Sequence, residues 1–373
     1  MQKVAALFLF AAVGCGGSAT EVIDGGADLG STRALRVPAL GPVPALPSLA
    51  DDPVTPEKRQ LGLTLYFDAR LSGSEHTSCN SCHVYNTNFQ DNLILASPDR
   101  AYPNDSPTVE RNTLAFFNII YAPVFRWDGS HTDLLDVIVF PLAEPNMNTS
   151  HLGVGDLTND VPGAQQALYH KLTSELPDYA AAYQAAFGVD IKSLNAPQVW
   201  RLTARALRAL FTEIVSRDAP FDRWNAGDDS AMDASAVRGV ALFTGKARCL
   251  ACHSGPFFTD FSFHNISSSP PGTDGKRADE GRYRVTGAEQ DRGKFLTPTL
   301  RQCYDTSPYF HDGQKGGLRA VLQHLSSSLV TADPNHDAIF DTPVTLSTEE
   351  MTDLIAFLRA LRGAPVTTIV PPT

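Results

Sequence analysis

Two pentapeptides carry the most specific chemistry in this chain of 373 residues: Cys79-Asn80-Ser81-Cys82-His83 and Cys249-Leu250-Ala251-Cys252-His253. Two thiols at this spacing reach the two vinyl groups of one porphyrin, and the histidine that follows is placed beneath the iron. The pattern predicts two covalently bound haems c, with Cys79, Cys82, Cys249 and Cys252 as attachment points and His83 and His253 as iron ligands. The competing chemistry is one tetrahedral zinc held by both Cys-x-x-Cys pairs. The pairs lie far apart, however, and each is followed by a histidine that zinc does not require, which favours haem.

Two cysteines remain. Cys15 ends an apolar run, Val4 to Val13, that follows Lys3 and is too short to span a bilayer as a mature helix. Residues 1–14 read as an export signal, and Ala12-Val13-Gly14-Cys15 resembles a bacterial lipobox, so Cys15 is expected to carry a lipid anchor on the periplasmic side of the envelope. Ordinary signal cleavage with an incidental cysteine is the alternative. Cys303, among apolar and aromatic neighbours, reads as a small buried thiol, and no disulfide is expected. A formal charge of −11 argues against a nucleic-acid partner, and no further segment is apolar enough to cross a membrane.

Positioning these motifs falls to helices. Thr55-Pro56 is an N-cap followed by proline in the first turn, and Val199, Leu202, Ala206, Leu210 and Ile214 recur at helical spacing. Leu318, Val321, Leu322, Leu325 and Leu329 do the same, and the last helix is bracketed by a Ser347/Glu350 capping box and Gly363. The expected fold is mainly α, with long loops: two cytochrome c-like haem domains packed around an interface, residues 52–221 and 236–363, joined by a polar linker at 225–235. Residues 15–51, rich in Gly, Ala and Pro, read as a flexible tether.

Around the haem motifs stand further words: Leu63-Thr64-Leu65-Tyr66-Phe67-Asp68-Ala69-Arg70-Leu71-Ser72, Phe125-Arg126-Trp127-Asp128-Gly129, Thr297-Pro298-Thr299-Leu300-Arg301 and Ser307-Pro308-Tyr309-Phe310-His311-Asp312-Gly313. Together, from Thr55 to Gly363, they resemble the bacterial di-haem cytochrome c peroxidase family, which includes MauG-type enzymes. The resemblance implies that hydrogen peroxide meets the haem of His83 while the haem of His253 exchanges electrons with a partner, through Trp127 lying between them. That partner would be a small cytochrome or cupredoxin or, in MauG-like members, a protein whose side chain is oxidised. It also implies calcium at the domain interface, held by Asn112, Thr306 and Pro308, a hydrogen-bonding role for His311 near the haems, and a homodimer as one assembly.

Three departures from the family bear on mechanism. No histidine lies between His83 and His131 to block the first iron, so that haem is expected to be open. The distal glutamine position falls on Val137, and the distal glutamate position on Asn146 or, by ungapped count, Met147, with Glu144 close by. The position of the second iron's sixth ligand falls on Leu325, which cannot ligate, beside His324, which can. A non-catalytic di-haem electron-transfer or sensor protein is therefore kept beside the two enzyme readings.

Overall fold

The computed structural model describes residues 36–95, 110–144, 147 and 160–372. The export signal, Cys15 and Asn146 lie outside the described residues. The described residues are mainly helical: α1 (Pro56–Phe67), α2 (Cys79–Cys82), α3 (Leu134–Val139), α4 (Val161–His170), α5 (Asp178–Phe187), α6 (Ala196–Phe211), α7 (Pro220–Ala226), α8 (Ala234–Thr244), α9 (Tyr283–Thr286), α10 (Leu318–Leu325) and α11 (Thr348–Ala360). One short antiparallel ladder pairs β1 (Phe263–His264) with β2 (Phe295–Leu296).

The helices begin where local chemistry starts them. The Thr55 hydroxyl accepts the Lys58 N–H at the head of α1, and Pro56 occupies the first turn, where no intrahelical donor is needed. Asn195 and Gln198 close a capping box on α6, as Ser347 and Glu350 do on α11. Their ends were less legible. The apolar period through Leu329 overruns α10, which stops at Leu325; Leu329 sits in a separate 3-10 turn and is exposed. Helix α11 ends at Ala360, before Gly363.

Two hydrophobic cores form. The first gathers Leu61, Leu65, Leu168, Tyr183, Val199, Ala206 and Leu210 from α1, α4, α5 and α6. The second gathers Phe221, Trp224, Val240, Phe243, Leu354 and Phe357 from α7, α8 and α11. Each is built on one crossing of two helices, and each crossing turns on a glycine. A methyl group on Gly62 of α1 would overlap the Ala206 carbonyl of α6, and one on Gly239 of α8 would overlap the Asp353 carbonyl of α11. Only hydrogen lets these backbones approach so closely.

The two flanks of the described body are exchanged between the cores. Leu40, within the segment read as tether, is fully buried in the second core, where Val37 exchanges two hydrogen bonds with the Asn225 side chain. Ile369, beyond the expected boundary at 363, is fully buried in the first. The segment 225–235, expected as a linker, runs through the end of α7 and a 3-10 turn to the Asp233 cap of α8, with Met232 buried.

Gly62→Ala and Gly239→Ala should each cost about 1–3 kcal/mol by overpacking, seen as a lower thermal midpoint. Gly316→Ala, whose added carbon meets nothing, should melt as the parent. Equal melting of all three would mean the crossings are looser than described.

Candidate functional site

Helix α2 places Cys79 and Cys82 one turn apart, and the His83 N–H closes that turn on the Cys79 carbonyl at 2.9 Å. The Tyr66 hydroxyl of α1 holds the His83 carbonyl, and the Phe116 ring lies 4.3 Å from the imidazole. Nδ1 of His83 faces the Phe89 carbonyl at 3.3 Å. A carbonyl can only accept, so Nδ1 carries the proton and Nε2 is left with a free lone pair, the tautomer a metal needs. Burial pushes this histidine down to about 4, which keeps it neutral.

The second motif repeats the arrangement. The His253 N–H bonds the Cys249 carbonyl at 2.9 Å, and Nδ1 faces the Phe258 carbonyl at 2.9 Å. Phe89 and Phe258 both adopt left-handed backbone conformations, which turn their carbonyls back toward the rings. None of the four motif cysteines is paired in a disulfide. The word Thr297-Pro298-Thr299-Leu300-Arg301 cradles the loop after His253. Thr259 Oγ1 donates to the Thr297 carbonyl and Thr299 Oγ1 to the Phe257 carbonyl, each at 2.6 Å, while Arg301 is buried in a two-pronged pair with Asp222 of α7.

Trp127 stands where the two halves meet. Its Nε1–H donates to the Asn112 carbonyl at 2.8 Å, and its own carbonyl accepts from the Leu296 N–H of β2 at 2.8 Å. The Asn112 N–H in turn donates to the His311 carbonyl at 2.6 Å. His311 is buried, stacks on Phe295 at 3.7 Å and meets Trp127 edge to face at 6.5 Å. Arg111 lies between Asp128 and Asp279, bonding the first at 2.6 Å and the second at 2.6 and 2.9 Å, and Arg282 reaches the Asp128 and Gly129 carbonyls. Burial opposes the Arg111 charge, but Asp279 and Asp128 outweigh it and raise the pKa further.

These contacts expose an internal repeat beyond the haem motifs. Phe125 bridges His131 as Tyr309 bridges Lys315. Within the two turns Arg126 and Phe310 are left-handed, as are Gly129 and Gly313, and Asp128 and Asp312 each accept the N–H two residues on, at 3.0 and 3.1 Å. Upstream, the left-handed residues Asn118 and Gln302 open the 3-10 turns Ile119–Tyr121 and Cys303–Asp305. Trp127 and His311 occupy equivalent places in this repeat, and so do Asn112 and Leu296. The bonds Asn112 to His311 and Leu296 to Trp127 are therefore the same bond, made twice with the halves exchanged.

The expected acid–base residues fare differently. Glu144 gives both carboxylate oxygens to Arg126, at 2.7 and 2.8 Å. Val137 is half-buried on α3 and has no proton to offer, and Met147 is buried in the first core. Leu325 ends α10, and the adjacent His324 is buried with Nε2 donating to the Ile266 carbonyl at 2.7 Å. Asn112, named for calcium, donates Nδ2 to the Leu93 and Ile94 carbonyls, and its Oδ1 meets only a long 3.4 Å contact from Gln90. Sequence reasoning missed the Arg111 clamp and also His264. The latter is gripped by Asp337 on Nδ1 and by Asp260 on Nε2, beside the second haem motif. Asp260 four positions before His264 was the one local signal.

A family model described as "Di-haem cytochrome c peroxidase" matches residues 56–230. The methylamine utilization protein MauG of Methylorubrum extorquens is 35% identical over 366 residues, covering 97% of this chain and 93% of that protein. The cytochrome-c peroxidase IdrP1 of Denitromonas iodatirespirans is 35% identical over 356 residues, 87% of each. Among solved structures, a MauG-like protein associated with microbial copper homeostasis superposes with a TM-score of 0.72 over 88% of this chain and 97% of that one, at 22% identity, a likeness of fold.

Asp337 foremost, with Asp260, raises His264 above its ordinary 6.5; the further rise that a Cys252 thiol gives is lost when that sulfur is a thioether. A raised folded-state value means stabilisation that is full below 6.5 and is lost as pH climbs through the raised value. The melting difference between the protein and His264→Gln should accordingly be largest near pH 6 and shrink as pH rises. A difference independent of pH would show that the histidine is not held as a cation.

Proposed function

Because the chain belongs to the di-haem cytochrome c peroxidase family and is a di-haem peroxidase-type oxidoreductase, we propose that it is two cytochrome c-like haem domains in which His83 and His253 present Nε2 to the irons. The thiols of Cys79, Cys82, Cys249 and Cys252 form the thioethers. The residues fit the group: both motifs fold into one turn, and both imidazoles are neutral, with the proton on Nδ1 donated to a carbonyl. When bound, the first haem supplies the iron that takes hydrogen peroxide, and the second exchanges electrons with a small cytochrome or cupredoxin. Trp127, bonded to both halves, relays between them. The matched pair of Nδ1-anchored histidines, one in each half, with Trp127 bonded to both halves, is the observation that carries the reading.

Acid–base help is weak in this chain. To move a proton between peroxide oxygens, Glu144 has to leave its two-pronged bond with Arg126. Val137 has nothing to donate, and an amide at Asn146 cannot shuttle a proton as a carboxylate does. Such a shuttle contributes about 10²–10⁴-fold, so turnover is slow. The Arg126–Glu144 pair therefore favours a second reading, in which the partner is a protein whose side chain is oxidised in a MauG-like manner.

Calcium belongs to the same proposal, at Asn112 Oδ1 and the backbone oxygens of Thr306 and Pro308. It is supported by the amide oxygen that Asn112 leaves almost unengaged and by the suitability of such ligands for a hard cation. Among the described residues no helix is long and apolar enough to cross a membrane. Placement on the periplasmic side of the envelope, with Cys15 as lipid anchor, rests on the leader sequence.

Elemental analysis should return two irons and one calcium per chain, and acidic organic solvent should leave the haem on the polypeptide. Extracted porphyrin, or zinc in place of iron, overturns the haem assignment. Absence of calcium removes that part alone.

With a reduced cytochrome as donor, the protein should consume peroxide, and Trp127→Phe should lose donor oxidation by about a hundredfold or more while still binding peroxide at the first site. Unimpaired turnover by the variant would remove Trp127 from the path. Failure of the parent to consume peroxide with any small donor would turn the reading to the partner-protein substrate.

A further inference from the structure

The indole of Trp127 has one N–H proton, and among the described residues it is donated to the Asn112 carbonyl. An amide carbonyl is far too weak a base to take a proton from an oxidised indole, whereas a carboxylate is strong enough. Two carboxylates are tied to the segments that make this bond: Asp128, which follows Trp127 in the chain, and Asp279 of the other half, which is bonded to Arg111. Arg111, the residue before Asn112, occupies both. One nitrogen serves Asp128 Oδ2, and two serve the two oxygens of Asp279. The guanidinium fork fixes three oxygens in one geometry, and its charge alone already holds both carboxylates ionised. Burial pushes both carboxyls up, yet Arg111 holds each below its ordinary value, so neither is ready to accept a proton. His311 meets Trp127 through ring edges, without a bond to the indole N–H.

We propose that Trp127 is an electron-only relay and that Arg111 is the positioning residue that makes it so. The proposal rests on the reading that Trp127 lies on the path between the haems. In the step, the indole gives up one electron toward the first haem, keeps its proton on Nε1, donated to the Asn112 carbonyl, throughout, and recovers one electron from the second haem. No bond to hydrogen breaks, so the relay returns to its starting state without recapturing a proton. Arg111 contributes twice. It fixes the segment that bears the Asn112 carbonyl, and it withholds the two carboxylates that would otherwise drain the proton and leave a neutral indolyl radical.

The test uses the haem-loaded full chain. After mixing with peroxide, electron equilibration between the haems is followed by stopped-flow absorption in ordinary and heavy water, and the radical by electron paramagnetic resonance. The parent should equilibrate equally fast in both solvents and show a protonated indole radical. Arg111→Gln, which removes the Arg111 hold on both carboxylates and leaves Asp128 with the Ser130 N–H and Asp279 with the Gly281 N–H and Arg284, should slow by about ten- to a hundredfold, as for a group displaced by an ångström. It should also become slower in heavy water and yield the deprotonated radical. Arg111→Lys keeps the charge and should retain the solvent insensitivity, whatever its rate. Slowing of the parent in heavy water, or a neutral radical in the parent, overturns the proposal. So does identical behaviour of Arg111→Gln and Arg111→Lys, since a merely structural arginine would be missed equally in both. Thermal melting identifies any variant that is unfolded, in which case Asp128→Asn with Asp279→Asn replaces it and should leave the parent's solvent insensitivity intact. If Trp127→Phe equilibrates as fast as the parent, the relay itself fails, which is distinguishable from loss of the Arg111 role.

Discussion

Two main-chain hydrogen bonds, Asn112 to the His311 carbonyl and Leu296 to the Trp127 carbonyl, hold the functional geometry together. Each ties a residue beside one ring to the backbone of the other ring's segment, so neither Trp127 nor His311 can shift without breaking a bond in the opposite half. Because the pair is reciprocal, the contact resists sliding in either direction. Everything that depends on the spacing of the two histidine motifs inherits this constraint. The motifs are rigid within their own halves, through Phe89 and Phe258, and the halves are rigid to each other through Asn112 and Leu296.

The interior of each half and the contact between them are built from different materials. The cores are apolar and close on glycine, which gives stability through packing. The contact is closed by arginine: Arg111 on Asp128 and Asp279, and Arg282 on the carbonyls of Asp128 and Gly129. Removing such charges from water costs several kcal/mol per ion, so these pairs add little net stability. What they supply is register, since a fork bonded to three oxygens has one place to sit.

Much of this was legible in the chain because the signals are local. Cys-x-x-Cys-His states its chemistry in five residues, Thr55-Pro56 starts α1 as expected, and the Ser347/Glu350 box starts α11. Helix ends were less legible: the apolar period through Leu329 continues past the point where Ser326 and Ser327 break α10. The residues missed outright are those whose partners are distant in sequence. Nothing near Arg111 announces Asp279, and nothing near His264 announces Asp337. The repeat was half hidden for a similar reason: Asp-Gly survives in both turns, but Arg126-Trp127 and Phe310-His311 share no side-chain chemistry, only a backbone path. Asn146 lies outside the described residues.

The exchange of flanks has a consequence for the order of assembly. The first core holds Ile369, which follows the whole second half in the sequence, and the second holds Leu40, which precedes the whole first half. A nascent chain that has completed the first helical half still lacks the piece that seals it, while the second half waits on a segment made long before. Neither half can close as an autonomous unit during synthesis, and splitting the gene between them would leave each product with an open apolar socket. The two haem units are thus one object in biogenesis, even though their helices and motifs read as a tandem duplication.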